Sequence, residues 1–116
     1  MSDDVEPLRR VCELFNRREI ERVLAVMHPD VIWANGMEGG HVHGVDGVRK
    51  YWTHQWAMID PHVEPIEFSN GPEGAVVVEV HQVVHDLNEN LLADKMLGHM
   101  FRIENGLIKL FDIRGQ

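Results

Sequence analysis

Eight histidines in 116 residues, spread along the chain rather than gathered in a terminal run, are the side chains best suited to chemistry near neutral pH. His99 alternates with Leu97, Phe101 and Ile103, so in an extended strand it projects from an otherwise apolar face. An imidazole there has an ordinary pKa of about 6.5 and needs little adjustment to pass a proton as acid or base. The same pattern also fits a core histidine bonded to a backbone carbonyl. His81 alternates with Val77, Glu79, Val83 and His85. An even register across the turn at Asn88-Glu89-Asn90 puts it beside His99, and an odd register puts it on the opposite face. Glu79 and Asp94 are its candidate carboxylate partners, or else solvated edge charges.

His41-Val42-His43 places two imidazoles on one side of an extended segment, with Glu38 nearby, which is a candidate metal triad. It has no fourth ligand and sits in a loop rich in glycine (Gly36, Gly39, Gly40), so no metal and no other cofactor is expected. Trp33, Trp52, Trp56 and Phe111 supply large flat surfaces. Trp52 and Trp56 share a helix face, and the set either packs the core or lines a site for a flat, apolar or aromatic small molecule. Cys12 lies on an apolar helix face without a nucleophile motif, and no glycine loop is followed by the lysine-serine pair of a phosphate cradle.

These residues are positioned by a simple order of elements. Val5, Leu8, Val11, Cys12 and Phe15 recur at helical spacing, and Ile20, Val23, Leu24 and Met27 predict a second helix ending near His28, where Pro29 blocks continuation. Val31-Ile32-Trp33-Ala34 reads as a short strand followed by the glycine-rich loop. Asp46 is the expected N-cap of a third helix carrying Val48, Tyr51, Trp52, Gln55 and Trp56 and stopping before Pro61. Beyond it the period becomes two over Val63 to Phe68, Ala75 to Val84, Leu92 to Ile103 and Leu107 to Ile113, predicting four antiparallel strands. Helices followed by a meander make one α+β domain over residues 1–116. The consecutive valines Val76, Val77 and Val78 predict a sheet covered on both faces, by helices on one side and by a second copy of the chain on the other.

Nineteen acidic against eleven basic residues give a net charge of -8, which repels phosphate backbones and anionic lipid and argues against nucleic acid as a partner. No apolar run is long enough to span a bilayer, and the opening Met1-Ser2-Asp3-Asp4 is acidic, so neither a membrane segment nor a signal peptide is expected. One cysteine builds no disulfide framework, and the expected setting is the cytoplasm.

Four segments in order, Leu14-Phe15-Asn16, His28-Pro29-Asp30-Val31, Gly44-Val45-Asp46-Gly47-Val48-Arg49-Lys50-Tyr51-Trp52 and Phe101-Arg102-Ile103-Glu104-Asn105-Gly106-Leu107-Ile108, resemble the nuclear transport factor 2-like superfamily, in particular its SnoaL-like and ketosteroid isomerase-like branches. The resemblance covers nearly the whole chain. It implies a cone-shaped α+β fold, a curved antiparallel sheet wrapped around helices with an internal cavity, and it implies a homodimer formed through the outer sheet face. It does not imply one reaction. Ketosteroid isomerase uses a carboxylate as base, and a tyrosine and a protonated aspartate to stabilise the oxyanion. Here Trp33-Ala34-Asn35 offers no carboxylate at the position of the base, the first helix has no tyrosine, and His99 stands where the oxyanion-stabilising aspartate would be. Asp94, Asp112 and Arg114 do not assemble by spacing into the set used by epoxide hydrolases of the superfamily. Two functions follow as expectations: a metal-free isomerase, lyase or hydrolase using His99 assisted by His81 on an apolar ligand, or a ligand-binding or dimerisation module without chemistry. A histidine bonded to a carboxylate and facing open volume would favour the first; one unpaired histidine in the pocket would favour the second.

Overall fold

In the computed structural model, which describes residues 5–114, the amphipathic spacing of the first segment forms helix α1, Val5–Asn16, burying Leu8, Val11, Cys12 and Leu14. The acidic opening Met1-Ser2-Asp3-Asp4 lies outside the described residues. No glycine ends α1; instead Arg18 adopts a left-handed backbone (φ 62°), its N–H bonds Phe15 O at 3.0 Å, and Glu19 N–H bonds Leu14 O at 3.0 Å. The Arg18 guanidinium lies over the rings of Phe15 and Trp56 and pairs with Asp60, which holds this uncommon backbone in place.

Helix α2, Ile20–Leu24, is shorter than its spacing predicts, because the chain already enters strand β1, Met27–Ala34, at Met27. Pro29 therefore interrupts a strand rather than stopping a helix. It is tolerated because the pairing of β1 with its neighbour is irregular between Met27 and Ile32, where no ladder bond from residue 29 is required. His41–His43, expected in a loop, forms the short strand β2, paired with Ile32, Trp33 and Ala34. Helix α3, Gly44–Trp56, starts two residues before Asp46, which is not the cap but pairs with Arg49 one turn on, beside the favourable helix N-terminus.

Strands β3 (Ile59–Asn70), β4 (Val76–Asp86), β5 (Leu91–Glu104) and β6 (Leu107–Arg114) complete one six-stranded sheet in the order β2-β1-β6-β5-β4-β3. All neighbours are antiparallel except β1 and β6. Pro61 and Pro65 fit in β3 because it is an edge strand. Register shifts between Pro65 and Glu67, between Val84 and His85 and between Arg102 and Ile103 bend successive strands, which curls the sheet around the helices as the cone-shaped expectation requires. Of the three valines, Val76 and Val78 point into the core at 2% and 1% exposure, whereas Val77 lies half-buried on the outer face between Ser69 and Met100.

The helices attach to the sheet through one reciprocal contact. Val63 of β3 turns its peptide groups to the free edge, and the Asn16 amide takes both: Nδ2 donates to Val63 O at 2.8 Å and Oδ1 accepts from Val63 N at 3.0 Å. Asn16 thus acts as one residue of a missing strand at the end of α1. Asn16→Ala should lower the urea unfolding free energy by about 1–3 kcal/mol with an unchanged far-ultraviolet circular dichroism spectrum. Asn16→Asp, which keeps the acceptor but loses the donor, should not restore it.

Candidate functional site

Between α1, α3 and the concave sheet lies a pocket of about 320 Å³. The inner positions of β5 graduate from mouth to depth: Ala93 and Lys95 are exposed or partly so, and Leu97, His99 and Phe101 are buried. Trp33 and Ala34 of β1, Phe111 and Ile113 of β6, Gln82 and Val84 of β4, and Ile59, Pro61 and Val63 of β3 form the rest of the sheet wall. Tyr51, Trp52 and Gln55 of α3, with Val11, Cys12 and Phe15 of α1, close the opposite side.

His99 is 8% exposed, lines this pocket, and packs edge-on against the Phe111 ring at 4.7 Å. Among the described residues it has no hydrogen-bond partner. Burial in these apolar surroundings, with no carboxylate to stabilise a proton, lowers its pKa to about 4, so the ring is neutral at physiological pH and carries one donor and one acceptor nitrogen. It is the expected histidine on an apolar strand face, without the backbone carbonyl partner that a purely structural histidine would have.

His81 is not beside it. The β4–β5 register pairs Val78 with His99 and His81 with Met96, so the odd register holds and His81 stands on the outer face. The turn alone would give the even register, pairing Asp86 with Asn90 and His85 with Leu91; the β-bulge between Val84 and His85 shifts the ladder by one residue, so that Val84 meets Ala93 and the parity becomes odd. In the turn the Asp86 carboxylate accepts from the backbone N–H of Asn88 at 2.8 Å and of Asn90 at 2.9 Å, and from the Asn90 side chain at 2.9 Å. These bonds also hold the Asp86 carboxyl below its usual range. The expected carboxylate partner does meet His81, since its Nε2 lies 2.6 Å from Asp94 Oδ1, but the pair faces away from the pocket.

Trp33, Trp52 and Phe111 both pack in the core and line the pocket. Trp56 does not line it: it stacks on the far side of Trp52 (centroids 5.5 Å) and against Phe15 (5.2 Å), with its indole N–H buried and unpartnered. Of the candidate metal triad, His41 and His43 are both exposed on β2, and His41 Nε2 reaches Asp112 at 3.2 Å. Among the described residues no three His, Cys, Asp or Glu side chains are grouped to hold a metal ion. Asp94 and Asp112, considered for epoxide hydrolysis, line no part of the pocket. Cys12 does line it, and burial pushes its thiol up to about 11, which keeps it protonated and a poor nucleophile.

Two pocket groups carry no signal strong enough to have been singled out beforehand. The Tyr51 hydroxyl accepts from Gly36 N–H at 2.9 Å and from Gln55 Nε2 at 3.1 Å, while Gln55 Oε1 is buried without a partner. Burial raises the Tyr51 pKa, so the phenol keeps a proton to donate. The pair is spaced four apart on α3, as Trp52 and Trp56 are, and that spacing was the available clue.

Because His99 is neutral and buried when folded, its stability contribution has a defined pH window. The unfolded imidazole takes a proton first, at about pH 6.5, so the contribution is complete above that value and is lost as pH falls toward about 4. Between about pH 7 and about pH 5 the unfolding free energy should fall by about 2 kcal/mol more in the wild type than in His99→Leu. Equal slopes in urea titrations would show that the ring is not buried neutral.

The SnoaL-like domain family model matches residues 8–111. A nuclear transport factor 2-like protein of unknown function from Burkholderia pseudomallei is 32% identical, the match covering 100% of this chain and 92% of that one with a TM-score of 0.85. TerC, crystallised with polyporic acid, is 25% identical over 99% of this chain and 92% of that one, with a TM-score of 0.84. A Mycobacterium tuberculosis protein in complex with estradiol-17beta-hemisuccinate shares the fold at 14% identity, covering 100% and 95% with a TM-score of 0.83. No curated protein matches the chain.

Proposed function

The chain belongs to the SnoaL-like domain family, and from that membership we propose that it binds a small, flat, mostly apolar or aromatic molecule, with a polar group of that molecule set against His99. One observation carries this reading: a 320 Å³ pocket walled by Trp33, Trp52, Phe101 and Phe111 in which His99 has no protein partner. That volume lies at the lower end of small-molecule sites, and such sites combine apolar walls with a few convergent polar groups. His99, the Tyr51 hydroxyl and the Gln55 amide are those groups here. The co-crystallised polyporic acid of TerC and the steroid ester of the mycobacterial protein are ring systems of this kind.

Binding without chemistry is the reading favoured by the electrostatics. A general base must carry the proton it accepts, and imidazolium at His99 would be buried with no carboxylate facing it; the His81–Asp94 pair that could have supplied one is on the other face. A second reading, proton transfer in an isomerisation, elimination or hydrolysis, is supported by the open volume in front of His99 and by Tyr51 as a neutral donor toward a developing oxyanion. In that case the imidazolium is stabilised by the anion formed on the substrate itself. Neither reading calls on a metal. The setting we assign is the cytoplasm.

Titration with a neutral polycyclic phenol such as estradiol should quench tryptophan fluorescence with a micromolar-range dissociation constant. Ala93→Phe, which fills the mouth from a partly exposed position, should abolish the quenching while leaving the melting temperature within a few degrees. Quenching that survives Ala93→Phe would place the ligand elsewhere. His99→Leu should weaken binding by roughly tenfold, the loss of one buried hydrogen bond.

We also propose that a second copy covers the outer face of the sheet, where Val77, Met96 and Met100 are left partly uncovered. Sedimentation at micromolar concentration should give a dimer that Met100→Glu converts to monomer; a wild-type monomer would refute the assignment.

A further inference from the structure

The charge lining the pocket is opposite in sign to that of the chain. The sequence carries nineteen acidic residues against eleven basic ones, yet among the described residues no Asp or Glu lines the pocket, whereas Lys95 does. Lys95 stands on the inner face of β5 at the mouth, two inward positions before His99, and its cross-strand neighbour on that face is Gln82, which also lines the pocket. Among the described residues neither Lys95 nor Gln82 has a side-chain hydrogen bond or ion pair. Among the described residues Arg10, Arg22 and Arg49 are each paired with a carboxylate, whereas Lys95, like Lys50 and Lys109, is not; of these lysines Lys95 is the one that lines the pocket. An ammonium and an amide that point into an acid-free pocket mouth are a recognition pair waiting for an acceptor.

We infer that the ligand is an organic acid: a flat ring system whose carboxylate, sulfonate or acidic enol oxygen is held at the mouth by Lys95 and Gln82, while its apolar body reaches inward to Trp33 and Phe111. This rests on the pocket's being the binding site, as proposed above, and adds the chemical class of its occupant. The strand sets the reach. Four residues of extended chain separate Lys95 from His99, about 13 Å, so a ligand of two or three rings spans from the ammonium to the imidazole. A neutral apolar ligand would leave Lys95 and Gln82 unengaged. A cationic one would face Lys95 with like charge and find no acid among the described residues that line the pocket.

The test uses two fluorescent probes with the same ring system, 1-anilinonaphthalene-8-sulfonate and the uncharged N-phenyl-1-naphthylamine, titrated against the full chain. The wild type should bind the sulfonate roughly tenfold more tightly than the neutral probe, and added salt should narrow that ratio. Lys95→Met should bring the ratio to about one by weakening only the sulfonate, and Lys95→Glu should invert it, while Lys50→Met, at an exposed α3 residue outside the pocket, should change nothing. Lys95 is exposed, so these variants fold. Equal affinities for the two probes in the wild type, or a ratio that Lys95→Met leaves unchanged, would overturn the acid assignment while the pocket remains the binding site. If neither probe binds, or if Ala93→Phe displaces neither, the pocket reading fails and the acid assignment fails with it.

Discussion

Trp52 is the ring on which the rest of the structure is built. It is 1% exposed on α3 and meets Phe15 of α1 edge-on at 5.3 Å, Trp33 of β1 edge-on at 5.2 Å, and Trp56 in a stack at 5.5 Å. Trp33 in turn stacks on Phe111 of β6 at 4.2 Å, and Phe111 receives His99 of β5. Rings thus run without a break from the helices to the concave sheet, and each pair adds about 0.5–1.5 kcal/mol beyond the area it buries. Flat, rigid side chains cannot fold down into the space beside them as leucines would. They hold α3 off the sheet and leave the pocket open at one end, while Val23, Val31, Val48, Val78 and Val80 fill the rest of the core without a gap.

Folding leaves polar groups unsatisfied on this open side. Among the described residues His99 has no hydrogen-bond partner, and the Gln55 carbonyl oxygen is buried without one, which costs about 1–3 kcal/mol relative to a bonded group. Elsewhere the chain spends polar side chains economically: Asn16 satisfies two peptide groups of an edge strand, and Asp86 satisfies three donors in one turn. His99 and the Gln55 carbonyl are groups that an occupant of the pocket can bond, whereas the buried Trp56 N–H, behind Trp52, is not.

The comparison with ketosteroid isomerase is a comparison of electrostatics on a shared fold. There the site keeps one carboxylate charged and another protonated. Here, among the described residues, the corresponding wall has no carboxylate, the ring at the deep position is a neutral imidazole, the phenol faces in from α3, and the cation in the lining is Lys95. A neutral and a cationic group thus stand in this lining where the isomerase has an anionic centre.

The sequence by itself determined the class of fold, the five long elements from residue 44 onward to within a few residues, the alternation that turns His99 inward, and the helix spacing that clusters Trp52 with Trp56. Those are properties of single elements, fixed by the period of apolar residues. Properties that depend on how elements meet were not available from it. Whether His81 joined His99 turned on the register of one hairpin, which the β-bulge between Val84 and His85 decides by shifting the ladder one residue from the pairing the turn sets. Pro29 reads as a helix stop until the irregular β1–β6 pairing gives it a place in a strand. Trp56 and Trp52 are equivalent by spacing, yet one lines the pocket and the other supports it from behind, because the approach of Phe15 and Arg18 to α3 covers Trp56. Tyr51, Gln55 and Lys95 lacked a motif, since a lone polar residue on an apolar face becomes part of a site only when the curvature of the sheet brings other faces opposite it. Local periodicity is encoded residue by residue; register, curvature and the sign of charge inside a pocket exist only once distant segments are packed together.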